Sequence, residues 1–429
     1  MVIQIMEVLI LVILASVLQS NYKIPSPITI MSVVMAGLYF DIELFDMNSK
    51  EFDNLVLITL PLLIASDALK LKLSDIKEHG ASLFWVAVIS VLVFIGVGVL
   101  INNHVLVNYP LSIAAVVLLF CMVAATDPIT VSAVFSNFKV PHKLKVITEG
   151  ESLFNDATAL IVFSLALIAL KNPSDVTVQL IAVKSFSVIA GAVAVGLAIG
   201  LATIWILKVS EEALVEAIII ILGAYSSYWI AEHFHFSGIL SVIVTIVMAN
   251  NAIQKIISKD NAEIEVADKT NNFGLLKYAI TNKNNHETIL KNVDFLSVFA
   301  STVLFASIAS VVNFEKLWDY KYEILAVFIA STVIRGVMML KFALVSNNVS
   351  FMQNIRKHWW AVLTFAGSKG ALSILMVHML PSNFQYKSLF EHIIVGNILL
   401  STFVYAITLA FIFKCNKEKF EKECELEHH

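Results

Sequence analysis

The sequence predicts an all-α polytopic membrane protein of about thirteen transmembrane helices, arranged as two six-helix repeats of inverted topology, each with a broken helix. Three observations carry that expectation. The 429 residues are 58% hydrophobic and only 14% charged, with a mean hydropathy of +0.83, whereas soluble domains run nearer 45–50% apolar and about 25% charged. The apolar residues lie in long runs approaching the ~20 residues that a spanning helix needs, not in the alternating segments of about ten that build a barrel. A few of those runs are interrupted by acids, two lysines and an arginine, which lipid contact would make costly.

Runs long enough to cross occur at about 2–20, 25–40, 53–69, 81–102, 111–136, 146–170, 177–207, 212–231, 235–254, 293–313, 322–346, 358–380 and 391–413. The first lacks a basic leading stretch and a small-residue cleavage site, so it reads as a retained helix. Thirteen is odd, which puts the termini on opposite sides. One set of alternate loops carries 21 lysines and arginines and the other carries 5. The basic side is cytoplasmic, so the C-terminus is expected inside and the N-terminus outside. A wrong segment count would have scrambled that asymmetry.

Residues 1–415 are thus expected to form one transmembrane transporter domain: a first repeat over 2–171, a linker helix at 177–207 and a second repeat over 212–413. The polar stretch 255–291 reads as a cytoplasmic connector, partly helical. Residues 416–429 read as a cytoplasmic tail whose end, Leu426-Glu427-His428-His429, looks like the remnant of an affinity tag, so its histidines are not metal ligands. Three cysteines are too few and too scattered for a disulfide frame or metal cluster. The net charge of −4 gives no pointer to nucleic acid.

The chemistry concentrates in two runs. Pro128 lacks an N–H and pushes Asp127 away from helical geometry, so the helix should break there. The freed carbonyls and the hydroxyls of Thr126 and Thr130 would then line a cavity. In the next run Glu149, Ser152 and Asp156 share a helix face, with Glu151, Asn155 and Thr158 on a neighbouring stripe. Asp156 lies about a turn and a half beyond the polar entry of that run and is the expected working carboxylate. Glu149 and Glu151 read as members of structural ion pairs.

Three basic residues fall inside apolar runs: Lys184, Arg335 and Lys369. Lys184 can snorkel toward the interface. Arg335 is expected to pair with Glu149, because an unpaired buried guanidinium would be prohibitive. Gly367 and Gly370 around Lys369 suggest a second broken helix matching the Asp127-Pro128 break. Carboxylates held in this way bind a cation or a proton, so an ion carrier is the expected function. A channel needs a continuous wet path, an intramembrane aspartyl protease needs a Gly-x-Gly-Asp motif absent here, and an ATP-driven pump needs a phosphate-binding loop that is also absent. A receptor or scaffold would not require buried ionisable groups. No enzymatic activity is expected.

The run Ala125-Thr126-Asp127-Pro128, then Val140-Pro141, then Glu149-Gly150-Glu151-Ser152-Leu153-Phe154-Asn155-Asp156 resembles the cation:proton antiporter-1 family, the NhaP-type bacterial and archaeal sodium/proton exchangers. The resemblance implies the sodium/proton antiporter fold. It implies that Asp156 binds the ion and the proton, that Thr126 and Ser152 complete the Na+ shell, and that Asp127 and Asn155 brace the crossing of the broken helices. It further implies a structural Glu149–Arg335 pair and a homodimer in the inner membrane serving pH homeostasis, with no cofactor beyond the transported Na+ and H+. The chain departs from the pattern at Lys369, where relatives usually carry Arg, so a fixed counter-charge is kept but bidentate bonding is lost. Relatives also often carry a carboxylate in the third span. Asp67 lies in that region about one residue out of register and is a secondary candidate ligand.

Relatives with two adjacent aspartates tend to exchange two protons per sodium. Asn155-Asp156 resembles the electroneutral class, one cation for one proton. Hard oxygen ligands suit an alkali cation without separating Na+ from Li+ or K+, so a K+/H+ antiporter of the same fold is the first alternative and a cation channel the second.

Overall fold

A computed structural model describes residues 2–40, 42, 49–171, 177–207, 212–270, 273–310, 312–346, 352 and 355–427, with side chains over the same ranges except 2–5, 49, 50, 52, 53, 178, 180 and 256–285. The regular elements among them are all helical. They are α1 (Val2–Tyr22), α2 (Ser26–Tyr39), α3 (Ser49–Lys70), α4 (Leu73–Phe84), α5 (Ser90–Val105), α6 (Ile113–Ala124), α7 (Pro128–Phe135), α8 (His142–Lys171), α9 (Val178–Leu207), α10 (Ala213–His233), α11 (Gly238–Thr270), α12 (Phe273–Ser310), α13 (Phe314–Asp319), α14 (Lys321–Val345), α15 (Trp359–Phe365), α16 (Ala371–His378), α17 (Lys387–Leu400), α18 (Ala406–Cys415) and α19 (Lys417–Glu427). Among the described residues, nine segments are long and apolar enough to cross a membrane, with shorter apolar helices at Met6–Tyr22 and Ser26–Tyr39. Each apolar run of the sequence coincides with one of these, with α3, or with the α15–α16 pair. The protein is an all-α, multi-pass integral membrane protein.

Two spans continue through a π-helical turn. Trp85–Ile89 joins α4 to α5, and Ser401–Tyr405 joins α17 to α18. Two others are interrupted. Pro128 opens α7 and leaves Asp127 extended at φ −112°, ψ 121°, as its ring requires of the preceding residue. The second interruption, residues 366–370, ends at Gly370, also extended at φ −135°, ψ −167°. The stretch expected as a partly helical connector at 255–291 has helical backbone through most of its length: α11 runs to Thr270 and α12 starts at Phe273. No Gly or Pro stands between 255 and 270 to stop the helix.

The chain divides into two compact units. The first comprises Met1–Leu57, His79–Lys184 and Ser301–His429. Its α6 packs between α5 and α8, and α14 packs against α5, α15 and α17. A core of Val134, Phe135, Ile147, Phe342, Leu363 and Phe413 draws on α7, α8, α14, α15 and α18. The tail belongs to this core. Phe420 on α19 is 1% exposed and lies 4.7 Å from the Phe413 ring. Glu423 accepts from Trp359 Nε1 at 3.0 Å and sits 3.3 Å from Arg356 and 3.1 Å from His358. His428 and His429, the histidines of the expected tag remnant, lie outside the described residues.

The second unit comprises Ile58–Glu78 and Ser185–Ala300. Here α10 packs along α11, and the Thr245 hydroxyl donates to the Gly196 carbonyl at 3.1 Å. Asn250 caps the end of α3, donating to the Leu69 and Leu71 carbonyls at 2.8 and 3.0 Å. Apolar side chains such as Phe186, Trp205 and Trp229 point outward, as helices in hydrocarbon allow.

Candidate functional site

The two interruptions meet inside the first unit. The amide of Asp127 donates to the carbonyl of Ser368 at 2.7 Å, joining the first break to the second. A further bond ties α16 to α6, where the Ser373 hydroxyl donates to the Met122 carbonyl at 2.7 Å. That carbonyl is among the last four of α6, which have no partner within their own helix. Gly370 is required by proximity: a Cβ there would lie 2.5 Å from Asp127 Cβ.

Helix α8 closes against the first break. The Thr126 amide donates to Asp156 Oδ1 at 3.0 Å. Ser152 donates to the Thr126 carbonyl at 2.8 Å and accepts from the Thr126 hydroxyl at 3.2 Å. Asn155 donates its amide to the Ala124 carbonyl at 2.9 Å and to Thr126 Oγ1 at 3.1 Å. Oxygens from the Asp156 carboxylate, the Ser152 hydroxyl and the Thr126 carbonyl and hydroxyl therefore gather around the one residue Thr126. Thr126, Ser152 and Asn155 are buried and Asp156 is half-buried. Such an all-oxygen cluster with a single carboxylate has the chemistry of an alkali-cation site. Among the described residues no group of three or more His, Cys, Asp or Glu gathers to hold a metal ion.

Arg335 corrects the sequence expectation. Its partner is Glu151, not Glu149, through two bonds of 2.8 and 2.7 Å in the parallel geometry of a guanidinium on a carboxylate. Its Nε also donates to the Thr364 carbonyl at 2.9 Å, and Nη2 donates to the Leu363 carbonyl at 2.9 Å. A cation thereby caps the C-terminal carbonyls of α15, where the helix dipole favours one. Glu149 lies about 200° round the helix from Glu151. There it accepts from Ser132 at 3.4 Å and stands 3.8 Å from Lys145.

Lys369 is 4% exposed, with Nζ 5.9 Å from the centre of the Phe94 ring. It shares a cleft with Glu151, Asn155, Arg335, Ser90 and Phe94, a cleft whose walls do not include Asp156. Asp67 belongs to the second unit, where it stands 3.3 Å from Lys70, which is itself 3.3 Å from Asp294. The structure thus places Thr126, Asp127, Ser152, Asn155 and Asp156 around the first break and Arg335 and Lys369 at the second, and moves Glu149 out of the Arg335 pair. Ser368, Ser373 and Ser401 were missed. Only Ser368, inside Gly367-Ser368-Lys369-Gly370, had a sequence signal.

Fold and site together define a membrane protein in which two broken helices cross beside a carboxylate surrounded by hydroxyl and carbonyl oxygens. The profile described as "sodium/hydrogen exchanger, transmembrane" matches residues 8–415, and the chain belongs to that family of cation:proton antiporters. It is 24% identical over 403 residues to the low-affinity Na(+)/H(+) antiporter NhaS1 of Synechocystis sp., covering 91% of this chain and 69% of that protein. It is 27% identical over 370 residues to the Na(+)/H(+) antiporter NhaG of Bacillus atrophaeus, covering 83% and 62%. The structure of the sodium proton antiporter MjNhaP1 from Methanocaldococcus jannaschii superposes with a TM-score of 0.73 at 18% identity, covering 96% of this chain and 98% of that one.

Proposed function

We propose that this chain is a secondary antiporter exchanging one monovalent cation, Na+ or Li+, for one proton by alternating access. The two substrates compete for Asp156. The observation that carries the proposal is the Asp156 carboxylate bonded to the Thr126 amide at a helix break, with Asn155 rather than a second acid beside it. One carboxylate holds one cation or one proton, and either load gives the site the same net charge. Thr126 and Ser152 supply the remaining oxygens for the cation. Asp127 holds the crossing, and the Glu151–Arg335 pair fixes α8 against α14 and α15. Lys369 contributes a fixed positive charge near the crossing. The protein acts as a homodimer in the inner membrane, N-terminus outside and C-terminus cytoplasmic, in the service of pH homeostasis.

The test uses purified protein in liposomes carrying a pH gradient. Addition of Na+ or Li+ is expected to drive proton efflux, at a rate independent of a clamped membrane potential. Asp156→Asn is expected to abolish it. Full flux in that variant would overturn the assignment of Asp156, voltage dependence would overturn the one-for-one exchange, and a response to K+ alone would make the chain a K+/H+ antiporter.

A further inference from the structure

We propose that Ser401, on the π-helical turn between α17 and α18, is a positioning residue for the cation site, acting through the peptide unit between Ser368 and Lys369. This rests on the exchange reading above. The carbonyl of that peptide unit accepts from the Asp127 amide at 2.7 Å, and its N–H donates to Ser401 Oγ at 2.9 Å. One peptide plane is therefore gripped on both edges. On one side is the residue next to Thr126, whose amide and carbonyl serve the Asp156 site. On the other is the hydroxyl of a serine in an apolar run, with no motif around it. Ser401 passes its own proton to the Ile398 carbonyl at 3.1 Å, so its oxygen is oriented to receive. It is fully buried, with 0% exposure, and water does not compete for the bond. Aligned bonds of this kind polarise one another.

The turn touches the start of the same break as well. Thr332 gives its proton to the Phe328 carbonyl at 2.7 Å, which makes Tyr405 the donor in the 2.6 Å contact between Tyr405 OH and Thr332 Oγ1. Thr332 lies one turn from Arg335 on α14, and the Tyr405 ring packs edge-on against Phe365, the last residue of α15, at 5.5 Å. Ser401 and Tyr405, at the two ends of one π-helical turn, thus contact Lys369 inside the interruption at 366–370 and Phe365 just before it. A π-helical turn inside a helix has poorer hydrogen-bond geometry and recurs at functional sites. Here it places two side chains, four residues apart, against one break.

The test compares Ser401→Ala, Ser401→Thr and Thr408→Val. Thr408 is a half-buried residue two turns beyond Ser401 whose hydroxyl donates to the Val404 carbonyl of its own helix. Hydrogen–deuterium exchange read by mass spectrometry on the intact protein gives the first readout. Peptides covering 366–370 are expected to exchange about fivefold faster in Ser401→Ala, the loss of one buried hydrogen bond, and at the normal rate in the other two. Transport gives the second: Ser401→Ala is expected to raise the apparent KM for Na+ several-fold with folded protein yield retained, and Ser401→Thr to restore it. Unchanged exchange at 366–370 in Ser401→Ala overturns the proposal. So does equal damage in Ser401→Ala and Ser401→Thr, which marks a packing role only. Wild-type protein without cation-driven flux sinks the exchange reading alone, because the exchange-rate comparison still decides the role of Ser401.

Discussion

Glu149 and Glu151 are two residues apart on one helix and do different work. Glu151 is buried against a buried guanidinium, with side-chain exposures of 2% and 8%. Removing one partner leaves an uncompensated charge in a dry site, a loss of about 3–5 kcal/mol. Glu149 is buried too, at 7% exposure, but its lysine is 48% exposed and 3.8 Å away, and solvent screening at that open end weakens the pair toward the about 0–1 kcal/mol of exposed ones. Glu151→Gln is therefore expected to lower the thermal unfolding midpoint in detergent sharply, and Glu149→Gln to leave it nearly unchanged. Equal effects would reject the assignment of Arg335 to Glu151. Arg335→Lys is expected to fall between wild type and Glu151→Gln, since an ammonium keeps the charge but cannot serve the carboxylate and the α15 carbonyls together.

At the scale of elements, the crossing depends on how closely the two interrupted spans approach. Gly370 lies so near Asp127 that an added methyl would stand 2.5 Å from the Asp127 Cβ and 3.2 Å from its Cγ. The obstacle is a Cβ whose place is set by main chain held in the Asp127–Ser368 bond, not the free end of a flexible side chain. Gly370→Ala is expected to destabilise the protein by about 1–3 kcal/mol, the usual cost of overpacking, and to abolish cation-driven proton flux. Thermal unfolding and liposome transport on the same preparation check both parts. Gly336 offers the control, because the nearest atom to an added methyl there is 3.6 Å away. Gly336→Ala is expected to fold and transport normally.

For the whole molecule, the proposed competition for one carboxylate makes a prediction about how transport varies with pH. Under that proposal a proton on Asp156 must leave before the cation enters. With equal pH on both sides, raising it by one unit is expected to lower the apparent KM for Na+ by up to about tenfold while the site remains mostly protonated, because nine-tenths of the competitor is removed. The KM should level off once the proton no longer competes. Measurement of Na+-dependent flux over a pH series checks this, and a KM independent of pH would reject competition.

Composition and the length of the apolar runs determined the all-helical membrane class, because hydrocarbon accepts no other open backbone. Pro128 determined the first break, since its ring acts on the preceding residue whatever the surroundings. The periodicity of α8 put Ser152 and Asp156 on a common face. Which acid meets Arg335 was beyond the sequence: both glutamates satisfy the need for a counter-charge, and only the rotation of α8 against α14 selects Glu151. The two bonds on the 368–369 peptide unit were likewise decided by tertiary structure. A buried serine in an apolar helix carries no periodic signal, and its role exists only once another helix presents an unpaired amide to it.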